Sequence, residues 1–116
     1  MRKVLLADDD LTMVTLLSTL LRMEGYQTTS LLEMPGNYLE NIRKVKPDIL
    51  LIDVYLGDRN GIDVVRQVRE TDDLKGMWII MVSGTDKALE CINAGANSFL
   101  LKPYMPEELF RKLESL

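Results

Sequence analysis

Five side chains that could take part in metal or phosphate chemistry each lie at the end of a short apolar segment. They are Asp8, Asp9, Asp53, Ser83 and Lys102. Three carboxylates meeting at one place would repel one another unless a cation joined them, and hard oxygen ligands with room for water suit Mg²⁺ best. Lys102 would add positive charge and Ser83 a hydroxyl, so the set could hold an incoming phosphoryl group. Asp53 is then the candidate nucleophile.

Taken one at a time, these residues have a simpler interpretation. Acidic residues that follow a strand often cap the next helix, as we expect of Asp10, and charged side chains are mostly exposed. Ser83 alone would be a turn residue and Lys102 alone a surface charge. The chemical interpretation therefore depends on whether the fold brings the residues to one edge.

The apolar segments predict strands, because they are short and rich in branched or aromatic residues, at positions 4–7, 27–31, 49–54, 78–82 and 98–101. Helical patterns alternate with them, which predicts an α/β domain. Residues 48–54 show no polar alternation between their two carboxylates, as is typical of a central parallel strand. If the strand order is 2-1-3-4-5, ligands would bind between the first and third strands, where Asp8, Asp9 and Asp53 converge.

The helical patterns predict which side chains face the core. The clearest stripe ends before Gly25 and consists of Met13, Leu16, Leu17, Leu20 and Leu21. A fourth helix should stop at Gly95 and turn Leu89 and Ile92 inward. The last helix should begin at Pro106 and bury Leu109, Phe110, Leu113 and Leu116.

Composition narrows the class of protein. The 116 residues include 14 Lys and Arg against 18 Asp and Glu, and the net charge of −4 disfavours binding to nucleic acid or a membrane surface. No His and a single Cys, Cys91, argue against zinc and an internal disulfide. No apolar run approaches the roughly 20 residues of a membrane span, and the first residues do not predict a signal peptide. We expect one domain, residues 1–116, without an effector domain, in the cytoplasm.

In order and spacing, the motifs resemble those of the receiver domain of bacterial two-component response regulators. The resemblance covers essentially the whole chain and rests on LLADDD (5–10), LID (51–53) with Gly61 eight residues later, VSG (82–84), NAGA (93–96) and LKP (101–103). It implies a single (βα)5 doubly wound domain with a five-stranded parallel sheet of order 2-1-3-4-5 and helices on both faces.

The resemblance also implies a phosphorylation switch. Asp53 matches the phospho-acceptor, which takes its phosphoryl group from a sensor histidine kinase or a phosphotransfer protein. Ser83 and Lys102 match the hydroxyl and the lysine that contact this group, and Pro103 is expected to follow a cis peptide bond. Such a domain catalyses its own modification and is not a conventional turnover enzyme.

Magnesium is the cofactor that the resemblance implies. Asp9 and Asp53 match its direct side-chain ligands, Asp8 matches a residue that acts mainly through water, and the carbonyl of Tyr55 matches the remaining protein ligand. Gly57 stands where the family commonly has Pro, which predicts a more mobile loop at residues 56–61 and weaker metal binding. The bulky Tyr55 could also obstruct the water that hydrolyses the phosphoryl group.

Phe99, three residues before Lys102, matches the switch aromatic of the family. Its plain interpretation is core packing. The resemblance instead implies that Ser83 moves toward the phosphoryl group and that Phe99 turns into the vacated space. This would change the face formed by the fourth helix, the fifth strand and the fifth helix, which would bind a downstream effector or a second copy in a homodimer.

Two alternatives come from other classes of protein. Residues 8–12 also fit the Asp-x-Asp-x-Thr motif of haloacid-dehalogenase-like phosphatases, with Asp8 as nucleophile and Asp10 as acid and base. That interpretation lacks the downstream acidic motif and leaves Asp53 without a role. The second alternative is a receiver-like interaction module that works without phosphorylation, although all five core positions are retained.

Overall fold

A parallel sheet forms the centre of the fold. The computed structural model describes residues 2–115, and its main strands are β1 (Lys3–Ala7), β2 (Gln27–Ser30), β3 (Ile49–Asp53), β6 (Trp78–Ser83) and β7 (Ser98–Leu101). A separate hairpin consists of β4 (Tyr55–Leu56) and β5 (Arg59–Asn60). The helices are α1 (Leu11–Met23), α2 (Tyr38–Val45), α3 (Gly61–Glu70), α4 (Ala88–Ala94) and α5 (Pro106–Glu114).

The strand order is β2-β1-β3-β6-β7, with every neighbouring pair parallel. Because β6 and β7 are the fourth and fifth strands of this sheet, the predicted order 2-1-3-4-5 is confirmed. All five residues of β3 are buried, and the four residues before Asp53 are the unbroken apolar run that predicted a central strand. Strand β6 begins with Trp78, which lies at the amino edge of the sheet and is 41% exposed.

Helices cover both faces of the sheet, as predicted. On one face, α2, α3 and α4 pack on a cluster that includes Leu5, Leu50 and Met81. On the other, α1 and α5 pack on a cluster that includes Leu6 and Leu51. Neighbouring strand residues point to opposite faces, so each buried strand supplies both clusters. Within residues 2–115, no helix is long and apolar enough to cross a membrane.

Several helix boundaries follow the predicted signals. The side chain of Asp10 accepts a hydrogen bond from Met13 N at 3.1 Å, which confirms it as the cap of α1. Helix α5 begins at Pro106 and buries Leu109 and Leu113, whereas Phe110 is half-buried. Leu116, also predicted to face the core, lies outside the described residues.

The predicted face of α4 is wrong, and the predicted face of α1 is wrong in part. In α4, Leu89 and Ile92 are 69% and 46% exposed, whereas Cys91 and Ala94 are buried. This seven-residue helix buries only a narrow stripe, and small side chains fill it. In α1, Leu16 is half exposed and the buried residues are Val14, Leu17 and Leu21. Polar residues line one side of α1, at Thr12, Thr15, Thr19 and Arg22, and the apolar arc that remains is wider than the buried face. The sequence therefore did not determine which of the apolar residues face inward.

The loop predicted at residues 56–61 instead contains the β4–β5 hairpin, in which Leu56 pairs with Arg59 around a two-residue turn. Gly57 has φ 62° and Asp58 is not in the positive-φ region, which is the pattern of a type II′ turn. The Arg59 guanidinium lies 5.1 Å from the centre of the Tyr38 ring, so the hairpin contacts the start of α2.

Candidate functional site

The register of the sheet brings the predicted residues to its carboxyl edge. Ala7 pairs with Ile52, so Asp8 follows β1 beside the last residue of β3, Asp53. Ser83 ends β6 and pairs with Leu101, so the next residue, Lys102, emerges at the same edge. Asp8, Asp53 and Ser83 are buried, although charged side chains are seldom buried unless they are paired.

Lys102 joins the two buried carboxylates. Its Nζ lies 3.0 Å from Asp8 Oδ2 and also donates a hydrogen bond to Asp53 Oδ2. Burial alone would lower the pKa of Lys102, but hydrogen bonds and attraction to Asp53 and Asp8 outweigh it and raise the pKa. The lysine therefore stays charged and offsets the repulsion between the two acids. The peptide bond from Lys102 to Pro103 is cis, as predicted.

Backbone N–H groups hold the remaining carboxylate oxygens. Asp10 N donates to Asp8 Oδ1 and Tyr55 N to Asp53 Oδ1, both at 2.9 Å. Asp9 is exposed, and its Oδ2 accepts from Gly57 N at 3.2 Å. Asp8 and Asp53 are therefore held by N–H groups two residues further along the chain, whereas Asp9 is held by the turn between β4 and β5.

The donor set suits a hard divalent cation, because the oxygens of three carboxylates and nearby backbone carbonyls are the ligands that Mg²⁺ prefers. Within residues 2–115, however, no three acidic or cysteine side chains are grouped tightly enough to form a metal site. Lys102 supplies the positive charge between Asp8 and Asp53 instead.

In the part of the chain that the structure describes, the side chains of Ser83, Phe99 and Tyr55 form no hydrogen bond with Lys102 or the three acids. The Ser83 hydroxyl accepts a hydrogen bond from Thr85 N at 3.2 Å and lies 3.4 Å from Thr85 Oγ1. Phe99 is half-buried and packs on the cluster shared by α2, α3 and α4, beside Met81 in register. Tyr55 is 54% exposed, so its ring projects from the site into solvent.

Tyr104, two residues after Lys102, is a further residue of the site that the sequence did not indicate. Its ring packs on the α1 and α5 cluster and lines a small cavity with Asp8 and Asp53. Burial raises the pKa of Tyr104 to about 12; Lys102 opposes this shift, and the two acids add to it. In the sequence, Tyr104 follows an apolar strand, Lys102 and a proline, and this context does not indicate that its ring lies beside the acids.

The fold and this arrangement place the chain in a known class: it belongs to the family of response regulator receiver domains, whose model matches residues 4–114. It is 29% identical over 117 residues to the DNA-binding response regulator MtrA of Mycobacterium tuberculosis, covering 98% of this chain and 50% of MtrA. It is 26% identical to chemotaxis protein CheY of Thermotoga maritima, covering 99% and 97% of the two chains. The structure of chemotaxis response regulator CheY4 of Vibrio cholerae matches with a TM-score of 0.86 at 27% identity, covering 99% and 98%.

These matches bear directly on the alternatives. Receiver domains are signalling switches and not conventional turnover enzymes, and the family match does not favour the phosphatase alternative. The chain spans about half the length of MtrA and nearly the whole of CheY. DNA binding is part of the name of MtrA, the longer of these relatives.

Proposed function

We propose that this receiver domain accepts a phosphoryl group on Asp53 from a phosphohistidine of a sensor histidine kinase or phosphotransfer protein in the cytoplasm. The observation that carries the proposal is the bond of Lys102 Nζ to both Asp8 and Asp53 at the buried carboxyl edge. A lysine in this position neutralises the nucleophile before transfer and can pass its hydrogen bond to the incoming phosphoryl oxygens afterwards.

The chemistry needs little more than positioning. An oxygen of the Asp53 carboxylate attacks phosphorus in line, an oxygen–phosphorus bond forms, and the phosphorus–nitrogen bond of the donor breaks. An ionised carboxylate needs no general base, so the absence of His from the chain does not hinder the step. The hydrogen bond from Tyr55 N to Asp53 Oδ1 fixes the orientation of the nucleophile.

The residues that would hold Mg²⁺ are Asp8, Asp9 and Asp53, with the carbonyl of Tyr55. Bound there, the ion would neutralise charge that develops on the transferring group. Asp9 is exposed, so its carboxylate is accessible from solvent, whereas Asp8 and Asp53 are buried and oriented by their backbone hydrogen bonds.

The output would come from the face formed by α4, β7 and α5. Ser83 would leave Thr85 for the phosphoryl group, and Phe99 would turn toward the vacated space. The same face exposes Leu89, Ile92 and Leu101, three apolar side chains that an effector protein or domain, or a second copy of the chain, could cover. We propose that one domain, residues 1–116, carries both the acceptor and this face.

Intact-mass measurement after incubation with Mg²⁺ and acetyl phosphate tests the acceptor. Wild type should gain one labile phosphoryl group, and Asp53→Asn should gain none. Asp63→Asn is the matched control, because Asp63 is an exposed acid on α3 whose carboxylate forms an ion pair with Arg66. An adduct that persists in Asp53→Asn, or none on wild type, would contradict the proposal, and turnover lost only in Asp8→Asn would indicate a phosphatase.

A further inference from the structure

A second partly buried cation lies away from the acidic cluster, at the end of α3. Arg69 Nε donates to the carbonyl of Gly95 at 2.8 Å, and its Nη1 donates to the carbonyls of Lys75 and Met77 at 2.8 and 2.6 Å. Its Nη2 donates to Asn97 Oδ1 at 2.8 Å. Among residues 2–115, no carboxylate forms a salt bridge with this guanidinium. One side chain thus joins α3 to the segments before β6 and after α4.

Arg69 is held by hydrogen bonds to neutral oxygens and not by an ion pair. Burial lowers the pKa of the guanidinium, since no carboxylate compensates for the lost water. A planar group with five donors can bond several carbonyls at once, which the single ammonium of a lysine cannot do in the same geometry. Burying the charge of Arg69 costs free energy, but the side chain in return holds together α3, residues 75–77 and residues 95–97.

The segment after α4 is fixed from several sides. Asn97 Oδ1 also accepts from Ile79 N at 2.7 Å, and Asn97 N donates to Ile79 O at 2.8 Å. Gly95 has φ 121°, and a Cβ added there would lie 2.5 Å from Arg69 Cγ. The carboxyl end of α4 is consequently anchored to α3 by Arg69 and to β6 by Asn97.

The amino end of α4 is held much less firmly. Its N-cap, Lys87, provides no side-chain hydrogen bond, and the side-chain bond there is from Ala88 N to Asp86 Oδ1 at 3.1 Å. Lys87 and Glu90 form a long, exposed ion pair of 3.8 Å, which adds little stability. In the chain, this weakly held end of α4 comes shortly after Ser83 and Thr85, whose hydroxyls lie at the sheet edge.

We propose that Arg69 is a positioning residue that anchors the carboxyl end of α4, so that α4 tilts about Gly95 and its displacement is confined to its amino end. The trigger for the tilt rests on the proposed function, whereas the anchor itself does not. With the anchor intact, movement of the Ser83 segment changes the direction of the exposed Leu89 side chain without disturbing the start of β7.

Amide hydrogen exchange measured by NMR on the unphosphorylated chain tests the anchor. The amides of Ala96 and Asn97 donate to Cys91 O and Ile79 O, so their protection reports whether the segment stays closed. In Arg69→Met these two amides should exchange at least tenfold faster, and Arg69→Lys should rescue them only partly. Arg66→Met, one turn away on an exposed face, should leave both unchanged.

Asn97→Ala is a milder variant that keeps the test valid if Arg69→Met does not fold, since it removes one acceptor of the guanidinium and should also speed exchange at Ala96. Unchanged exchange of the residue 96 and 97 amides in folded Arg69→Met would overturn the anchor, and so would unchanged exchange in Asn97→Ala where Arg69→Met does not fold.

The tilt is tested on the phosphorylated chain, with adduct formation checked separately by mass. In wild type, amide chemical shifts of residues 87–90 should change and those of 95–97 should stay nearly constant, whereas in Asn97→Ala the changes should extend to 95–97. Equal changes at both ends of α4 in wild type would overturn the tilt. Absence of an adduct would refute the proposed function and leave the result on the anchor standing.

Discussion

Lys102 and Arg69 are both partly buried cations, and they differ in what surrounds them. Lys102 bonds to two carboxylates, whereas Arg69 bonds to four neutral oxygens. Burial alone would lower both pKa values, but the carboxylates reverse the shift at Lys102. A cation held by carboxylates can exchange one anionic partner for another. A cation held by backbone carbonyls has partners that are fixed in the fold, so it holds those segments in place. The first arrangement suits chemistry and the second suits anchoring.

A glycine lies close to each of these sites, Gly61 beside the strand that carries Asp53 and Gly95 beside Arg69. A Cβ added at Gly61 would overlap the backbone carbonyl oxygen of Asp53, in the strand that carries the acceptor. A Cβ added at Gly95 would meet the flexible side chain of Arg69. Backbone at the end of a central strand cannot move aside, but a long side chain can, so the two positions should respond differently to the same substitution.

The largest expected effect is therefore that of Gly61→Ala. We expect it to lower the free energy of unfolding by about 3 kcal/mol or more, because the collision involves backbone. Gly95→Ala is the matched comparison, and its strained positive φ should cost about 1–2 kcal/mol. Urea unfolding followed by circular dichroism measures both. Equal losses would show that the strand end adapts as readily as the arginine side chain.

An intermediate effect is expected for Lys102→Met in the absence of divalent cations. Two buried carboxylates would then face each other without a counter-charge, at a cost on the order of 2 kcal/mol. Added NaCl should reduce this loss, since salt screens the remaining repulsion. The loss in Arg69→Met should not vary with salt, because its partners are neutral. Urea unfolding curves at about 10 mM and about 1 M NaCl measure the free energy of unfolding that each variant loses. If both losses responded identically to salt, the proposed distinction between the two cations would be wrong.

The smallest effect leaves the folded state unchanged and concerns only a rate. Burial raises the pKa of Cys91 to about 11; Glu90 adds to the shift, and Lys87 opposes it. Since the thiolate is the reactive form, alkylation by iodoacetamide at pH 8 should be roughly 100-fold slower than in urea-unfolded chain. The native rate should rise with pH until about 11. Rapid native alkylation at pH 8 would show that α4 opens and exposes the thiol.

The sequence predicted the sheet and its carboxyl edge well, for a physical reason. Strand β3 is apolar up to Asp53, and polar residues end or follow the strands at the edge where parallel β-sheets bind ligands. The sequence therefore predicted that Asp8, Asp53 and Lys102 lie together. The hydrogen bonds that orient them come from backbone N–H groups, such as that of Tyr55, and these carry no residue-type signal.

The faces of the helices could not be predicted as well. In α4 the apolar pattern favoured Leu89 and Ile92, yet Cys91 and Ala94 fit the narrow space against α3. The role of Arg69 was equally hidden, because its partners are carbonyl oxygens and one asparagine side chain spread over residues 75–97. Such contacts depend on how loops meet in space, which periodicity does not encode.

The position of Trp78 decides what optical spectroscopy can see in this molecule. It is the only tryptophan in the sequence, it opens β6 at the amino edge, and it is 41% exposed. Ser83, at the other end of the same strand, is about 16 Å away at the usual rise per residue. Tryptophan fluorescence therefore follows loss of the whole sheet and is insensitive to a charge arriving at Asp53, so a tryptophan signal from the acidic edge requires an indole introduced there.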